Sequence, residues 1–154
     1  MKPHLLDLLT GAVAGLATIT PAAGYVPIYA SVLISIAAGL VCYYAVALKN
    51  RLKWDDALDV WGVHGMGGLL GILLLGVFAG TAINPSGAQG LVHGSTTFFG
   101  KQVAAGLGCS AYAFAFTFVM LKVIDRITPV RVGAEAEEGL DAAMHGESAY
   151  ALGV

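Results

Sequence analysis

One imidazole stands in a glycine-rich, otherwise apolar run: His64, inside DVWGVHGMGG, residues 59–68. At helical spacing Val60, His64, Gly68 and Gly71 share a face, and Gly65 and Gly67 leave space beside the ring. A charged side chain at a bilayer centre costs about 2.5–3.5 kcal/mol on insertion scales. Histidine, with a reference pKa of about 6.5, avoids much of that cost by becoming neutral. On the residues alone two readings stay open. The ring is either a neutral group hydrogen-bonded between helices or a site that accepts and passes protons. Metal ligation does not fit, because the neighbouring Val60, Val63, Gly67 and Gly68 offer no donor. Nor does any nucleophile–base pair accompany His64, so neither an enzyme nor a cofactor is expected.

The other polar residues fall into short groups. WDDALD, residues 54–59, precedes the run, and Asp55 or Asp56 can cap the helix that follows. Asp59 lies in the first turns, where the helix dipole favours negative charge; it is either a structural anchor or an aid in attracting a cation. In TITP, residues 18–21, the hydroxyls of Thr18 and Thr20 stand just before a proline, where they can satisfy carbonyls left without a partner. His93 and His145 read as solvated. Cys42 and Cys109 fall inside apolar runs and read as small buried hydrophobes rather than a disulfide.

The elements that position these groups follow from where charge is missing. Only 12% of the 154 residues are charged, about half the share of a soluble domain. Residues 8–48 and 60–100 contain no Asp, Glu, Lys or Arg, and neither do residues 102–121. A membrane-crossing helix needs about 20 mostly apolar residues. TPAAGYVP, residues 20–27, splits the first run with two prolines and a glycine. TAINPSGAQGLVHGSTTFFG, residues 81–100, reads as a loop. The expectation is an all-α membrane protein with four spans, at about 4–20, 28–48, 59–80 and 100–127. These form a transmembrane region over 1–128, with a polar tail over 129–154. A signal peptide is the rival for the first span, but TITPAAG offers no small-x-small cleavage site.

Seven of the eight basic residues (Lys2, Lys49, Arg51, Lys53, Lys122, Arg126 and Arg131) fall on the side of the N-terminus, the 49–58 loop and the tail. That side is therefore expected to be cytoplasmic, in a multi-pass cell-membrane protein. Lys101, at the opposite border, can snorkel. A net charge of −2 gives no reason to expect a nucleic-acid partner. Gly and Ala dominate the spans, as in GAVAGLA and GMGGLLG, which suits close backbone approach to other helices within a larger bundle or oligomer.

Three stretches together, GAVAGLATITPAAGYV, DDALDVWGVHGMGGLLGILLLGVFA and EEGLDAAMHGESAY, resemble signatures of the ammonium transporter (Amt/Mep/Rh) family, on its Amt branch. The resemblance runs along nearly the whole chain, in order. It implies an eleven-helix, homotrimeric transporter with a narrow hydrophobic pore through each subunit, of which this chain would supply the last four helices and the cytoplasmic tail. It implies ammonium or ammonia as substrate. His64 matches the second of a pair of pore histidines, Val13, Thr20 and Val60 match pore-lining or pore-adjacent positions, and Asp59 matches an aspartate of the same motif. In the tail, the resemblance covers Gly139, Leu140, Asp141, His145, Gly146, Glu147 and Tyr150, in the segment through which subunits couple and which PII-type regulatory proteins contact.

The partner histidine, the phenylalanine gate and the outer aromatic cation site of the family have no counterpart here, and neither Trp54 nor Trp61 fits the last. The chain is thus expected to be part of a longer protein and not to close a complete pore alone. A non-transporting membrane sensor or scaffold, whose tail docks a PII-type protein, is the alternative reading, and a small channel built from oligomerised four-helix units is another.

Overall fold

A computed structural model describes residues 5–133, 136 and 139–147. Four helices carry most of them: α1 (Leu5–Ile19), α2 (Ile28–Leu52), α3 (Met66–Phe78) and α4 (Thr96–Ile127). Each lies in a segment long and apolar enough to cross a membrane, the third of these beginning at Trp61. Packing divides the chain after Cys109, within α4.

In the unit up to Cys109, α1 gives way at Pro21 to a 3₁₀ turn, Thr20–Ala22, because the proline ring has no N–H to continue the ladder. Pro27 adopts an extended conformation and precedes α2. This helix outruns the expected end at residue 48 by one turn, since Lys49 and Arg51 suit the negative end of its dipole. It closes where Lys53 turns left-handed at φ 55°, with the Trp54 N–H donating to the Lys49 carbonyl at 3.2 Å. α4 begins four residues earlier than the expected residue 100, because the Ser95 hydroxyl oxygen accepts the Phe98 N–H at 3.4 Å.

The inner face of α2 is written at helical spacing: Ala30, Ile34, Ala38, Cys42, Ala45 and Lys49 are all buried. Ala14 of α1, Cys42 of α2 and Val63, just before α3, form the core where the three segments meet, with Val46 packed on it. Small residues set the spacing. The Thr18 hydroxyl and the Cys42 sulfur both press against Gly67, and the Thr18 carbonyl and the Pro21 ring against Gly71. TITP and the glycines after His64 are thus two halves of one contact. At the other end of α3, the Gly80 N–H donates to the Tyr25 carbonyl (3.0 Å) and the Gly90 N–H to that of Ala79 (2.8 Å), tying the outer turns together.

Large apolar side chains such as Leu6, Ile28, Leu40 and Tyr44 face outward, as suits lipid or further helices. Cys42 is the buried residue expected of it, whereas Cys109 is exposed, because α4 buries Gly106 and no other described residue.

In the unit from Ser110, the second half of α4 stacks its aromatics one turn apart, Tyr112 on Phe116 and Phe114 on Phe118, at 5.8 and 6.1 Å. The Asp125 carboxylate accepts the Val130 N–H at 3.0 Å just beyond the helix end. Further on, a π turn spans Asp141–His145 and ends at Gly146, whose φ of 69° suits glycine.

Candidate functional site

The helix that carries His64 does not begin as a plain α-helix. Trp61–Gly65 forms a π turn, closed by the Met66 N–H on the Trp61 carbonyl, before α3 takes over. Such single π turns add a residue within the ladder and often mark functional positions. The Asp56 carboxylate supports the turn's start: Oδ1 accepts the Val60 N–H and Oδ2 the Trp61 N–H, each at 2.9 Å. Of the two aspartates that the sequence offered as caps, Asp56 is the one on these two donors. Trp54 closes the preceding loop by meeting Trp61 edge to face, with ring centroids 5.0 Å apart.

Asp56→Ala removes both acceptors at once, each a charge-assisted bond. It is expected to cost about 1–2 kcal/mol and to lower the melting midpoint of the detergent-purified protein, with Asp56→Asn falling between the two.

His64 faces α1. There an open groove of about 360 Å³ is lined by Val13, Leu16, Ala17, Thr20 and His64. Its α1 wall is a single stripe at positions 13, 16, 17 and 20, the i, i+3, i+4, i+7 pattern of one helix face. The groove therefore joins three of the residues singled out in the sequence: Val13, Thr20 and His64. Val60, the fourth, is exposed and does not line it. Leu16 and Ala17 were missed, although the spacing of Val13 and Thr20 on one helix was the signal that finds them.

Thr20 donates its hydroxyl to the Leu16 carbonyl at 2.7 Å, which leaves the oxygen's lone pairs free to accept. Among the described residues His64 has no hydrogen-bond or ion-pair partner, so the interhelical bond of the first reading is not made within them. The ring is the one titratable group among the five lining residues. Chemically, the groove offers an apolar wall with one hydroxyl and one imidazole able to exchange a hydrogen bond or a proton. No three of His, Cys, Asp and Glu gather as metal ligands would among the described residues.

Asp59 is not in the groove. Its backbone is left-handed at φ 55°, and its carboxylate pairs with the Lys49 ammonium at 2.6 Å. Lys49, which the charge pattern places among exposed loop residues, is buried, and its Nζ also donates to the Asp56 carbonyl at 2.7 Å.

The described tail residues form a hydrogen-bonded turn. The Ala143 N–H donates to the Gly139 carbonyl at 2.9 Å, the Gly146 N–H to that of Ala142 at 3.1 Å, and the Glu147 N–H to that of Asp141 at 3.4 Å. Leu140, Asp141, His145 and Glu147 are exposed around this turn. Tyr150 lies outside the described residues.

Comparison with known proteins bears on the whole of this arrangement. Residues 1–150 match the family model described as Ammonium Transporter Family. The "Ammonium transporter" of Bacillus subtilis (strain 168) is 44% identical over 151 residues, covering 97% of this chain and 37% of that protein. "Ammonium transporter Amt1" of Archaeoglobus fulgidus is 40% identical over 150 residues, covering 97% of this chain and 38% of that protein. Among solved structures, the crystal structure of Saccharomyces cerevisiae Mep2 superposes with a TM-score of 0.83 at 35% identity, over 92% of this chain and 33% of that one. The chain spans a little over a third of the length of the curated relatives it matches. Those relatives are named as transporters rather than enzymes, and their likeness together with four apolar helices makes this a multi-pass membrane protein. Match, helices and motif order converge: the chain belongs to the ammonium transporter family.

Proposed function

We propose that the chain lines part of an ammonium pathway, as the last four helices and cytoplasmic tail of an eleven-helix, homotrimeric cell-membrane transporter. The observation that carries this reading is the groove in which His64 faces Val13 and Thr20. Ammonium, a small cation, is strongly hydrated, and moving it bare into an apolar passage is costly, whereas neutral ammonia enters cheaply. A group that takes or passes the proton at the wet end of such a passage lowers that barrier. His64 is suited to this because a neutral imidazole carries one donor and one acceptor. Thr20 supplies a further acceptor on the opposite wall, and Val13, Leu16 and Ala17 keep the passage apolar. The turn at Asp141–His145 and the segment to Tyr150 are assigned to subunit coupling and to contact with a PII-type regulatory protein. The basic residues at the α2 end and around the end of α4 support reading that side as cytoplasmic.

The experiment is a chimera in which this chain replaces the matching segment of the Bacillus subtilis relative, expressed in cells that lack their own ammonium uptake. Growth on low ammonium is expected to return with the chimera. A chimera that inserts in the membrane in normal amount and restores no growth contradicts the proposal.

A further inference from the structure

The last turns of the inner face of α2 meet the turn that presents His64. Cys42, Val46 and Lys49 stand at i, i+4 and i+7 on that helix. In antiparallel order they meet the π turn and the residues before it. The Cys42 thiol points at the Val63 carbonyl, a weak contact at 3.9 Å. Val46 packs so closely on Gly62 that a side chain there would strike its methyl group. Lys49 takes the Asp59 carboxylate at 2.6 Å and the Asp56 carbonyl at 2.7 Å.

Two features of Lys49 are out of the ordinary for a helix-end lysine. It is 5% exposed, whereas lysine is rarely buried unless paired, and its partner aspartate holds a left-handed backbone, uncommon outside glycine. Asp59 is also the residue whose carbonyl receives the Val63 N–H (2.9 Å), one position before His64. The ion pair therefore ties to α2 the residue from which the π turn is hung, while the His64 ring lines the groove.

We propose that Lys49 is a positioning residue: its ion pair with Asp59 sets the π turn so that the His64 ring faces the groove. This rests on His64 being the pathway histidine. Removing the Asp59 charge leaves the buried Lys49 ammonium unpaired, and removing Lys49 frees Asp59, whose side chain is 30% exposed, from the contact that ties it to α2. The turn relaxes, and the imidazole leaves its alignment with Val13 and Thr20. Misplacement of a working group by about 1 Å costs rate out of proportion to the movement.

The test uses the chimera with Lys49→Met, Asp59→Asn and Lys49→Arg, read in two ways. Methylammonium uptake per inserted molecule is expected to fall about tenfold with Lys49→Met and with Asp59→Asn. Lys49→Arg, which keeps the charge and the reach, is expected to retain most of it. Separately, the rate at which diethylpyrocarbonate modifies His64, measured by mass spectrometry of its peptide, is expected to shift with the first two variants and not with the third. Asp59→Asn keeps the shape of the side chain and so tests the charge even where Lys49→Met fails to insert. Uptake at the parent level, uptake lost with the His64 modification rate unchanged, or failure of both charge-removing variants to insert would each overturn the assignment. A chimera that carries no ammonium at all counts against the pathway reading alone, since the modification rate still shows whether Lys49 positions His64.

Discussion

Gly71→Ala is expected to leave little folded protein in the membrane, whereas Gly68→Ala three residues earlier changes nothing measurable. A Cβ at Gly71 would overlap the Thr18 carbonyl oxygen and stand 2.9 Å from the Pro21 ring. Both obstacles are backbone or ring atoms at the end of α1, so neither can swing aside, and α1 and α3 must separate to admit one methyl group. Overpacking of this kind costs about 1–3 kcal/mol where neighbours can yield, and more where they cannot. Gly67 gives the intermediate case. A Cβ there meets the Thr18 hydroxyl at 2.7 Å and the Cys42 sulfur at 3.2 Å, side-chain tips able to rotate. At Gly68 nothing lies within 4 Å. Membrane abundance and detergent melting of the chimera should rank Gly68→Ala first, Gly67→Ala second and Gly71→Ala a distant third. Equal behaviour of all three would mean that α1 and α3 do not meet as described.

Replacing His64 by alanine is expected to act in the opposite manner, sparing the fold and removing the flux. The ring is exposed on the groove and contributes nothing to the core of Ala14, Cys42 and Val63, so abundance should stay at the parent level. The loss in transport is large because the remaining lining residues, Val13, Leu16, Ala17 and Thr20, include no group that can hold a proton. If the imidazole offsets a desolvation cost of about 2.5–3.5 kcal/mol, typical of a charge at bilayer depth, its removal slows passage by about two orders of magnitude. Methylammonium uptake by the chimera, normalised to inserted protein, checks this. Uptake within a factor of about two of the parent, well under 1 kcal/mol, would mean that His64 is not part of the passage.

How much of this was legible in the residues can be told element by element. The spans were written in the absence of charge and in Pro21 and Pro27, because lipid forbids unpaired charge and proline forbids helix continuation. Their ends were less clear. Lys49 reads as a loop residue by type, yet it extends α2 and sits buried on Asp59, a pairing across ten positions that no local pattern announces. Ser95 looked like loop, though its hydroxyl starts α4. The π turn at Trp61–Gly65 has no periodic signature in a single sequence, since apolar and small residues fit α and π geometry alike. The groove was half legible: His64 drew attention as a lone imidazole, and the family resemblance added Val13 and Thr20. Leu16 and Ala17 are written in the helical stripe between those two, whose apolar residues otherwise look like core. The tail was legible as polar and glycine-broken from composition, and its EEGLDAAMHGESAY stretch through the family resemblance.

The central claim is that the His64 groove is a passage for ammonium. Its most direct measurement is uptake of radiolabelled methylammonium into proteoliposomes containing the purified chimera or its His64→Ala variant. A mildly acidic buffer keeps the amine almost wholly cationic, so that leakage of free base through lipid is small. Uptake well above empty liposomes is expected for the chimera, competed by ammonium and reduced to near background by His64→Ala. Uptake that is equal for the two proteins, or no greater than that of empty liposomes for either, would contradict it.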